Sequence, residues 1–330
     1  MNRKKVAVIA LGGTIAMVPA TRADGVVPAL TAEDLVAAAP GIGDLASIQV
    51  INLLQVPGAH LQLHHLEELA SCVQRLRSDG VDGVVVTQGT DTIEETAFTL
   101  DCLLGARIPV AVTGAMRSPS TPGADGAANL MAAVRAVVAA PAEGLGCFVV
   151  FNDQLHSPQF VRKTNTHRAD AFSSSPLAPM GFVCEDRVTL LAESRRLPPV
   201  GTHAQPRPAR VALLTMTLGD DGSLVEAAMG AGFDGLVVAA MGGGHVSPGV
   251  ANALQAAASR VPVILASRTG SGEVLAKTYG FPGGEIDLQR RGLVRSGYLD
   301  PIKSTLLLTL LLRHQAGAKE IRRRFDLYGG

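Results

Sequence analysis

Four side chains that could act together in catalysis lie in the first half of the chain. Thr14 follows the apolar run of "VAVIALGG", Thr90 and Asp91 follow the run of "VVVTQG", and Lys163 lies in "VRKTNTH". A lysine beside a hydroxyl can accept or relay the hydroxyl proton when burial lowers the pKa of its amine, and a neighbouring carboxylate can orient it. Threonine, lysine and aspartate would then act as a catalytic triad with different side chains. The chemistry indicated is attack by a hydroxyl on a substrate.

Each of these residues also has an ordinary structural interpretation when it is taken alone. The "GGT" that ends in Thr14 could be a turn into a helix, and Thr90 or Asp91 could cap a helix N-terminus. Lys163 alone is typical of a solvated loop. A phosphate-binding loop is not indicated, because "LGGTIA" matches neither GxxxxGK[ST] nor GxGxxG. The chemical interpretation therefore depends on elements that bring the residues together.

Apolar runs bounded by Gly or Pro alternate with helical patterns in the first half. The predicted strands are 6–11, 48–54, 81–87, 108–114 and 146–151. The predicted helices are 31–39 with Thr31 as N-cap, 63–78, 92–104 and 125–139. This alternation predicts a mainly parallel sheet with helices on both faces.

The character of the sequence changes at residues 193–210, "ESRRLPPVGTHAQPRPAR", which are rich in proline and poor in apolar side chains. We interpret them as a linker. Alternation then resumes, with strands at 211–215, 235–240 and 261–266 and helices at 223–229, from Pro248, at 301–314 and at the C-terminus. We predict a two-domain α/β protein, with a catalytic domain at 1–192 and a smaller α/β domain at 211–330.

Ligands of parallel α/β sheets bind at the carboxyl ends of the strands. In this chain that edge would gather "GGT", "PGA" (57–59), "TQGTDT", "TGAMRS" and, in the second half, "MGGGHV". Hydroxyls, a carboxylate and exposed backbone N–H groups would converge there. His245, which ends the glycine run of the last motif, is on this basis a candidate site residue.

The composition argues against several classes of protein. Lys plus Arg and Asp plus Glu both number 29 in 330 residues, so we expect no nucleic-acid partner and no anionic membrane surface as a partner. The absence of Trp and the three Tyr argue against base-stacking platforms. The four Cys form no CxxC or Cys/His cluster, which argues against zinc and against a disulfide framework. Buried structural thiols are the simpler interpretation.

No segment has the length of a membrane span. "STLLLTLLL" is too short to cross a bilayer and fits a buried helix. The N-terminal "MNRKKVAVIALGG" has a basic start, but its apolar run of six residues is short for a signal sequence and fits a first strand. We expect a soluble, cytoplasmic protein.

Taken together, the motifs resemble the bacterial-type L-asparaginase family, which includes the glutaminase-asparaginases. The matching pieces, in the family's order, are "LGGTIA", "TQGTDTIEETAF", "VTGAMRSPSTPGADGAANL" and "RKTNTHRADAF". The similarity spans nearly the whole chain. It implies an amidohydrolase that acts on L-asparagine or a related small amide through a covalent acyl-enzyme and releases ammonia. It implies neither a metal nor an organic cofactor.

The resemblance also implies roles for the first set of residues. Thr14 matches the primary nucleophile. Thr90, Asp91 and Lys163 match a second cluster that activates a hydroxyl and binds the substrate amino group. Backbone N–H groups near Gly13 and Thr90 would form an oxyanion hole, which is often worth about 3 kcal/mol.

Other residues are implied to bind the substrate. Ala115, in "GAMR", matches a position whose backbone carbonyl contacts the reacting amide, and Gln88 and Gly89 are assigned to the same pocket. "GGEIDLQRRGLVRSG" places Glu285 at a substrate-binding glutamate that the family supplies from a neighbouring subunit. The resemblance therefore implies a homo-oligomer, at least a dimer and commonly a tetramer. His245 stands where the family often has an asparagine.

Two departures from the family concern the substrate pocket. The loop 17–30 lacks the family's tyrosine, and Val26 occupies that position. In "PGAHL", Gly58 stands where a serine binds the substrate α-carboxylate, with Ala59 beside it. Losing a hydroxyl that bonds a carboxylate costs about 1.5–3 kcal/mol, or roughly 10–150-fold in binding. Losing a partner of the nucleophile can cost about 10²-fold or more in rate.

The partners of an ammonium group, Asp91 and Glu285, are both retained. The sequence thus keeps the groups for amide attack and changes those that hold the free carboxylate. We expect a substrate other than free L-asparagine at low concentration. The alternatives are an amino-acid-binding or sensing protein on a catalytically impaired scaffold and the asparaginase-like subunit of a tRNA-dependent amidotransferase. The neutral charge and the lack of an N-terminal extension argue against the second.

Overall fold

The structure, a computed structural model, describes residues 3–13, 15, 17–19, 26–28, 31–141, 144–192, 197–200 and 206–329, with only the backbone of 17–19 and 26–28. Contacts divide the chain into two units, Met1–Pro199 and Val200–Gly330. The division falls inside the segment that we interpret as a linker, while the domain boundaries themselves remain predictions. No helix in the described ranges has both the length and the apolarity needed to cross a membrane.

Strands and helices alternate through most of the first unit. Its strands are β1 Lys5–Ala10, β2 Met17–Pro19, β3 Val26–Pro28, β4 Ser47–Asn52, β5 Gly83–Thr87, β6 Val110–Thr113, β7 Cys147–Phe151, β8 Gln154–His156, β9 Arg162–Lys163, β10 Phe172–Ser173, β11 Gly181–Cys184 and β12 Arg187–Leu190. Its helices are α1 Ala32–Ala37, α2 Ile42–Leu45, α3 Leu63–Ser78, α4 Ile93–Leu104 and α5 Gly126–Ala139.

An eight-stranded sheet in the order β12-β11-β8-β7-β6-β5-β1-β4 forms the centre of this unit. The strands from β7 to β4 are parallel, and the remaining three pairings are antiparallel. The register pairs Ala10 with Asn52 and with Thr87, and Thr87 with Thr113. The parallel strands therefore end level with one another, and the loops that follow them start from one edge.

Side chains alternate between the two faces of the sheet. Along β1, Ala7 and Ile9 pack on the side covered by α3 and α4, whereas Val6 and Val8 pack on the side covered by α5. All four are fully buried, as the period of two in a strand covered on both faces requires. The predicted mainly parallel sheet with flanking helices is confirmed.

The second unit repeats the α/β pattern on a smaller scale. Its strands are β13 Val211–Thr215, β14 Gly235–Ala240, β15 Val263–Ser267 and β16 Val294–Arg295. Its helices are α6 Ser223–Gly230, α7 Pro248–Ala258, α8 Glu285–Arg290, α9 Pro301–Arg313 and α10 Ala318–Gly329. The sheet is parallel in the order β13-β14-β15-β16. A smaller α/β unit after the linker is therefore confirmed.

Candidate active site

Three loops that contain glycine meet at the carboxyl ends of β1, β4 and β5. Gly13 has φ of +86°, and a Cβ built on it would lie 1.9 Å from the backbone N of Gly89. A Cβ on Gly89 would lie 2.8 Å from the backbone N of Gly58. Side chains cannot approach backbone atoms this closely, so glycine is required for the stack. The stack brings the backbones of the three loops into direct contact.

The predicted cluster of hydroxyl, amine and carboxylate is assembled beside this stack. Lys163 Nζ donates hydrogen bonds to Thr90 Oγ1 at 2.9 Å and to Asp91 Oδ1 at 3.0 Å. Thr90 is 5% exposed, and the Lys163 side chain is 17% exposed. The Asp91 side chain is 62% exposed, so its carboxylate is accessible to a solute. The arrangement can hold or move a proton at the Thr90 hydroxyl while presenting a negative charge.

Lys163 is held from its backbone as well as from its amine. The backbone N–H of Lys163 donates to Oε2 of Glu94 at 2.9 Å, and Glu94 lies in the first turn of α4. In the β9–β10 pair it lies opposite Phe172, whose buried ring is 4.7 Å from that of Phe151. No role for Glu94 was predicted from the sequence. The signal was present, because this acid lies within "TQGTDTIEETAF", four residues after Thr90.

A second network ties the loop after β4 to the loop after β5. The Gln88 amide donates to Thr92 Oγ1 at 3.2 Å, and Thr92 Oγ1 donates to the Gly58 carbonyl at 3.0 Å. Gln88 is fully buried. The buried Gln88 amide therefore helps to hold the two loops together, and its predicted role in substrate binding stays a prediction.

The turn after β6 is fixed by the N-cap of α5 and by one residue within that helix. The Asp125 carboxylate accepts the N–H groups of Met116 at 3.0 Å and Arg117 at 2.9 Å. The Asn129 amide donates to the Gly114 carbonyl at 3.0 Å. Ala115, between these contacts, is fully buried. The support from Asp125 and Asn129 was missed, although both lie in the motif "VTGAMRSPSTPGADGAANL".

Two positions at this edge, Thr90 and Gly58, differ in the polar groups that they offer to a ligand. No acceptor within the described ranges receives the backbone N–H of Thr90. The turn Gly58–His60 carries Gly58 and the exposed Ala59, so neither position offers a hydroxyl to a carboxylate. Thr14 lies outside the described residues, as does the side chain of Val26.

The two predicted residues of the second unit contact each other. Glu285, in the first turn of α8, accepts the N–H groups of Thr278 and Tyr279 at 2.7 Å each through Oε1. His245 Nε2 lies 3.2 Å from Glu285 Oε2. Burial acts to raise the pKa of the Glu285 carboxyl, but the two backbone N–H groups and His245 hold it below its ordinary value. Glu285 is thus a buried, ionised carboxylate.

His245 is the exposed member of this pair. Its side chain is 22% exposed, whereas that of Glu285 is fully enclosed within the unit. The His245 ring centroid lies 4.9 Å from that of Tyr279 and 5.3 Å from that of Phe281. These two aromatic rings are themselves 44% and 47% exposed. In this arrangement, therefore, the surface presents an imidazole and two rings, with the carboxylate behind them.

No group of three or more His, Cys, Asp or Glu side chains is placed to hold a metal ion anywhere in the described ranges. The chemistry available at the strand ends is that of hydroxyl, amine, carboxylate and backbone N–H groups.

Comparisons with known proteins cover both halves of the chain. The family model "Asparaginase, N-terminal" matches residues 5–196, and "Glutaminase/Asparaginase C-terminal domain" matches residues 210–325. An L-asparaginase of Bacillus licheniformis is 32% identical over 321 residues, covering 96% of this chain and 98% of that relative. A probable L-asparaginase of Deinococcus radiodurans is 34% identical over 331 residues, covering 97% of each.

A solved structure shares the fold along its whole length. The probable cytoplasmic L-asparaginase from Campylobacter jejuni matches with a TM-score of 0.86 at 29% identity, covering 98% of this chain and 99% of that one.

Proposed function

The chain belongs to the asparaginase family and is an amidohydrolase, and on that premise we propose that it hydrolyses the side-chain amide of L-asparagine, or of a related small amide, through a threonine acyl-enzyme. The observation that carries the proposal is the double contact of Lys163 Nζ with Thr90 Oγ1 and Asp91 Oδ1. A solvated loop lysine would not be fixed between a buried hydroxyl and a carboxylate.

The proposed reaction has two halves. The Thr14 hydroxyl attacks the amide carbon, its proton passes to the leaving nitrogen, and ammonia departs from an ester on Thr14. Water then attacks the ester, giving up a proton through the Thr90–Lys163 pair, and the acid leaves with Thr14 regenerated. In both halves the Thr90 N–H stabilises the negative oxygen, a contact often worth about 3 kcal/mol.

Recognition of the substrate is expected to be asymmetric. Asp91, with its exposed carboxylate, would bind a substrate ammonium group. The other end of an amino acid finds no hydroxyl at position 58, where a Cβ would already lie 3.0 Å from the Gly89 carbonyl oxygen. We therefore propose that the free α-carboxylate is held weakly and that KM for L-asparagine lies above the micromolar range.

We also propose a homo-oligomer in which the second unit of one subunit completes the site of its neighbour. The motif that carries Glu285 supports this role, and so do the exposed rings of Tyr279 and Phe281 beside His245. In this arrangement His245 would contact the substrate directly, and Glu285 behind it would fix the orientation and charge of the imidazole.

A substrate panel with matched variants tests the proposal. Ammonia release is measured with L-asparagine, L-glutamine, their D-forms and small β-amides, for wild type, Thr90→Val and Thr99→Val. Thr99 is buried, and its hydroxyl has no partner in the part of the chain that is described, so its change controls for loss of a buried hydroxyl. We expect activity on at least one amide, a loss of about 10²-fold or more in Thr90→Val, and none in Thr99→Val.

Two results would count against the proposal. If the wild type releases ammonia from no amide of the panel but binds an amino acid in calorimetry, the chain is better explained as a binding or sensing protein. Equal rates for wild type and Thr90→Val would remove the second hydroxyl from the mechanism.

A further inference from the structure

A cavity of about 570 Å³ lies in the second unit, far from the strand ends that carry His245. It is located at the amino ends of β15 and β16, between the last residues of α7 and the first turn of α10. Val261, Val263, Val294, Leu312 and Ile321 give it an apolar floor. Pockets of roughly 300–1,000 Å³ are the usual size for small-molecule sites.

Three cations line the cavity, namely Arg260, Lys319 and Arg322, and no Asp or Glu lines it. None of the three has an ion-pair partner in the part of the chain that is described. Lys319 and Arg322 lie three residues apart on α10, where like charges are destabilising. The wall of the cavity therefore carries an uncompensated positive charge that a bound anion would relieve.

The other cations of α10 show that the helix can supply acid partners. Arg323 donates to Glu320 Oε2 and Arg324 to Glu320 Oε1, at 2.7 and 2.8 Å. Glu320 therefore forms its ion pairs with two arginines that do not line the cavity. Arg323 and Arg324 thus share one carboxylate. Lys319 and Arg322, which line the cavity, have no ion-pair partner in the described part of the chain.

The start of α10 adds to the positive charge of the wall. The Ile321 N–H donates to the Gly317 carbonyl at 3.0 Å, so the N–H groups of Ala318 and Lys319 precede the first bond of this 12-residue helix. Ala318 itself lines the cavity. Unbonded N–H groups and the helix dipole both favour an anion at this end.

We propose that this cavity binds a small organic anion, a phosphate or carboxylate group on an apolar body. Arg260, Lys319 and Arg322 would hold the charged group, and the valine, leucine and isoleucine floor would bury the body. The floor selects against inorganic phosphate, which has nothing to place on it. The site is independent of amide hydrolysis and needs none of its residues.

The test is calorimetric titration of the purified full chain with phenyl phosphate, phenylacetate and inorganic phosphate, in the presence of saturating L-aspartate to occupy the amidohydrolase site. We expect saturable binding of one aryl anion per chain. The tighter binding of phenyl phosphate or of phenylacetate shows whether the site prefers a phosphate or a carboxylate group. Inorganic phosphate should bind at least about tenfold more weakly than the better aryl anion. Arg322→Gln and Arg260→Gln, on separate elements, should each weaken that binding about tenfold or more.

Arg323→Gln is the matched control, because it removes the same charge from the next residue of α10, outside the cavity. Binding within about twofold of wild type in this variant supports the site. The proposal is overturned if neither aryl anion binds below about 10 mM. It is equally overturned if inorganic phosphate binds as tightly, or if Arg323→Gln weakens binding as much as Arg322→Gln.

Discussion

At the scale of residues, the double contact of Lys163 separates a site from a set of helix caps. Thr90 and Asp91 could each have capped α4, but the N-cap of that helix is Thr92, whose side chain makes no cap bond. Both instead accept a hydrogen bond from an amine more than 70 positions further along the chain. That choice of partner is the physical reason to give these residues a chemical role.

Replacing Lys163 by Met should abolish most turnover with little loss of folding. Methionine keeps much of the length of the side chain and cannot hold a proton between Thr90 and Asp91. We expect kcat for amide hydrolysis to fall by about 10²–10⁴-fold, as when a general acid–base group is lost. Lys277→Met, at an exposed lysine, is the control in the same assay. A Lys163→Met enzyme with kcat near that of wild type would contradict the assigned role.

His156 should give the first unit a measurable dependence on pH. It is 1% exposed, its Nδ1 lies 2.8 Å from Ser174 Oγ, and burial lowers its pKa from 6.5 to about 4. The unfolded chain therefore binds this proton at a higher pH than the folded chain, so the free energy of unfolding falls as the pH drops from 6.5 to about 4. The full difference is about 3 kcal/mol.

Urea unfolding at pH 7 and at pH 4.5 measures this contribution. His156→Asn should lose less free energy of unfolding between the two pH values than wild type, whereas His64→Asn, at an exposed position on α3, should behave as wild type does. If wild type and His156→Asn lose the same amount, the buried imidazole does not carry the effect.

At the scale of elements, long periodic segments could be predicted and short irregular ones could not. The helix 63–78 was predicted with the bounds that the structure gives, because Leu66, Leu69, Val73 and Leu76 repeat at helical spacing and are all buried. Thr31 was correctly predicted as an N-cap, and it forms a capping box with Asp34. In each case the signal lies within a few neighbouring residues.

The antiparallel strands β8, β11 and β12 and the helix α8 were not predicted. β8 has three residues and follows a two-residue turn, Asn152-Asp153, in which both φ values are positive. That turn type favours a hairpin, and its asparagine and aspartate were a usable signal. The contacts of Lys163 with Thr90 and Asp91 join distant chain segments, so motif matching predicted this cluster and local pattern could not. The contact of Glu285 with His245 also joins distant segments, and it was not predicted.

The glycine stack predicts a strong effect from a single methyl group. Gly89→Ala would place a Cβ 2.8 Å from the Gly58 backbone N, so at least one of the two loops must move. We expect a loss of about 1–3 kcal/mol in the free energy of unfolding together with a loss of amide hydrolysis. Gly43→Ala, where nothing lies within 4 Å of a new Cβ, should change neither. Full activity in Gly89→Ala would show that the stack is not needed for the site.

At the scale of the whole molecule, hybrid oligomers can decide whether two subunits share each site. Thr90→Val and Glu285→Gln subunits, each expected to be nearly inactive alone, are co-expressed with different tags and purified as mixed dimers. If each site combines Thr90 of one subunit with Glu285 of the other, a mixed dimer keeps one intact site of two. Ammonia release from the hybrid well above both parents supports shared sites, and a hybrid as inactive as its parents would place both residues in one subunit.

Hydrolysis of L-asparagine by the purified chain, with ammonia and L-aspartate followed together, tests the central claim most directly. We predict that both products appear in equal amounts at millimolar substrate and that Thr14→Ala lowers the initial rate by at least about 10³-fold, as expected for a lost nucleophile. An unchanged rate in Thr14→Ala would contradict the account. So would a wild type that releases no ammonia from L-asparagine at any concentration or from any other amide of the panel.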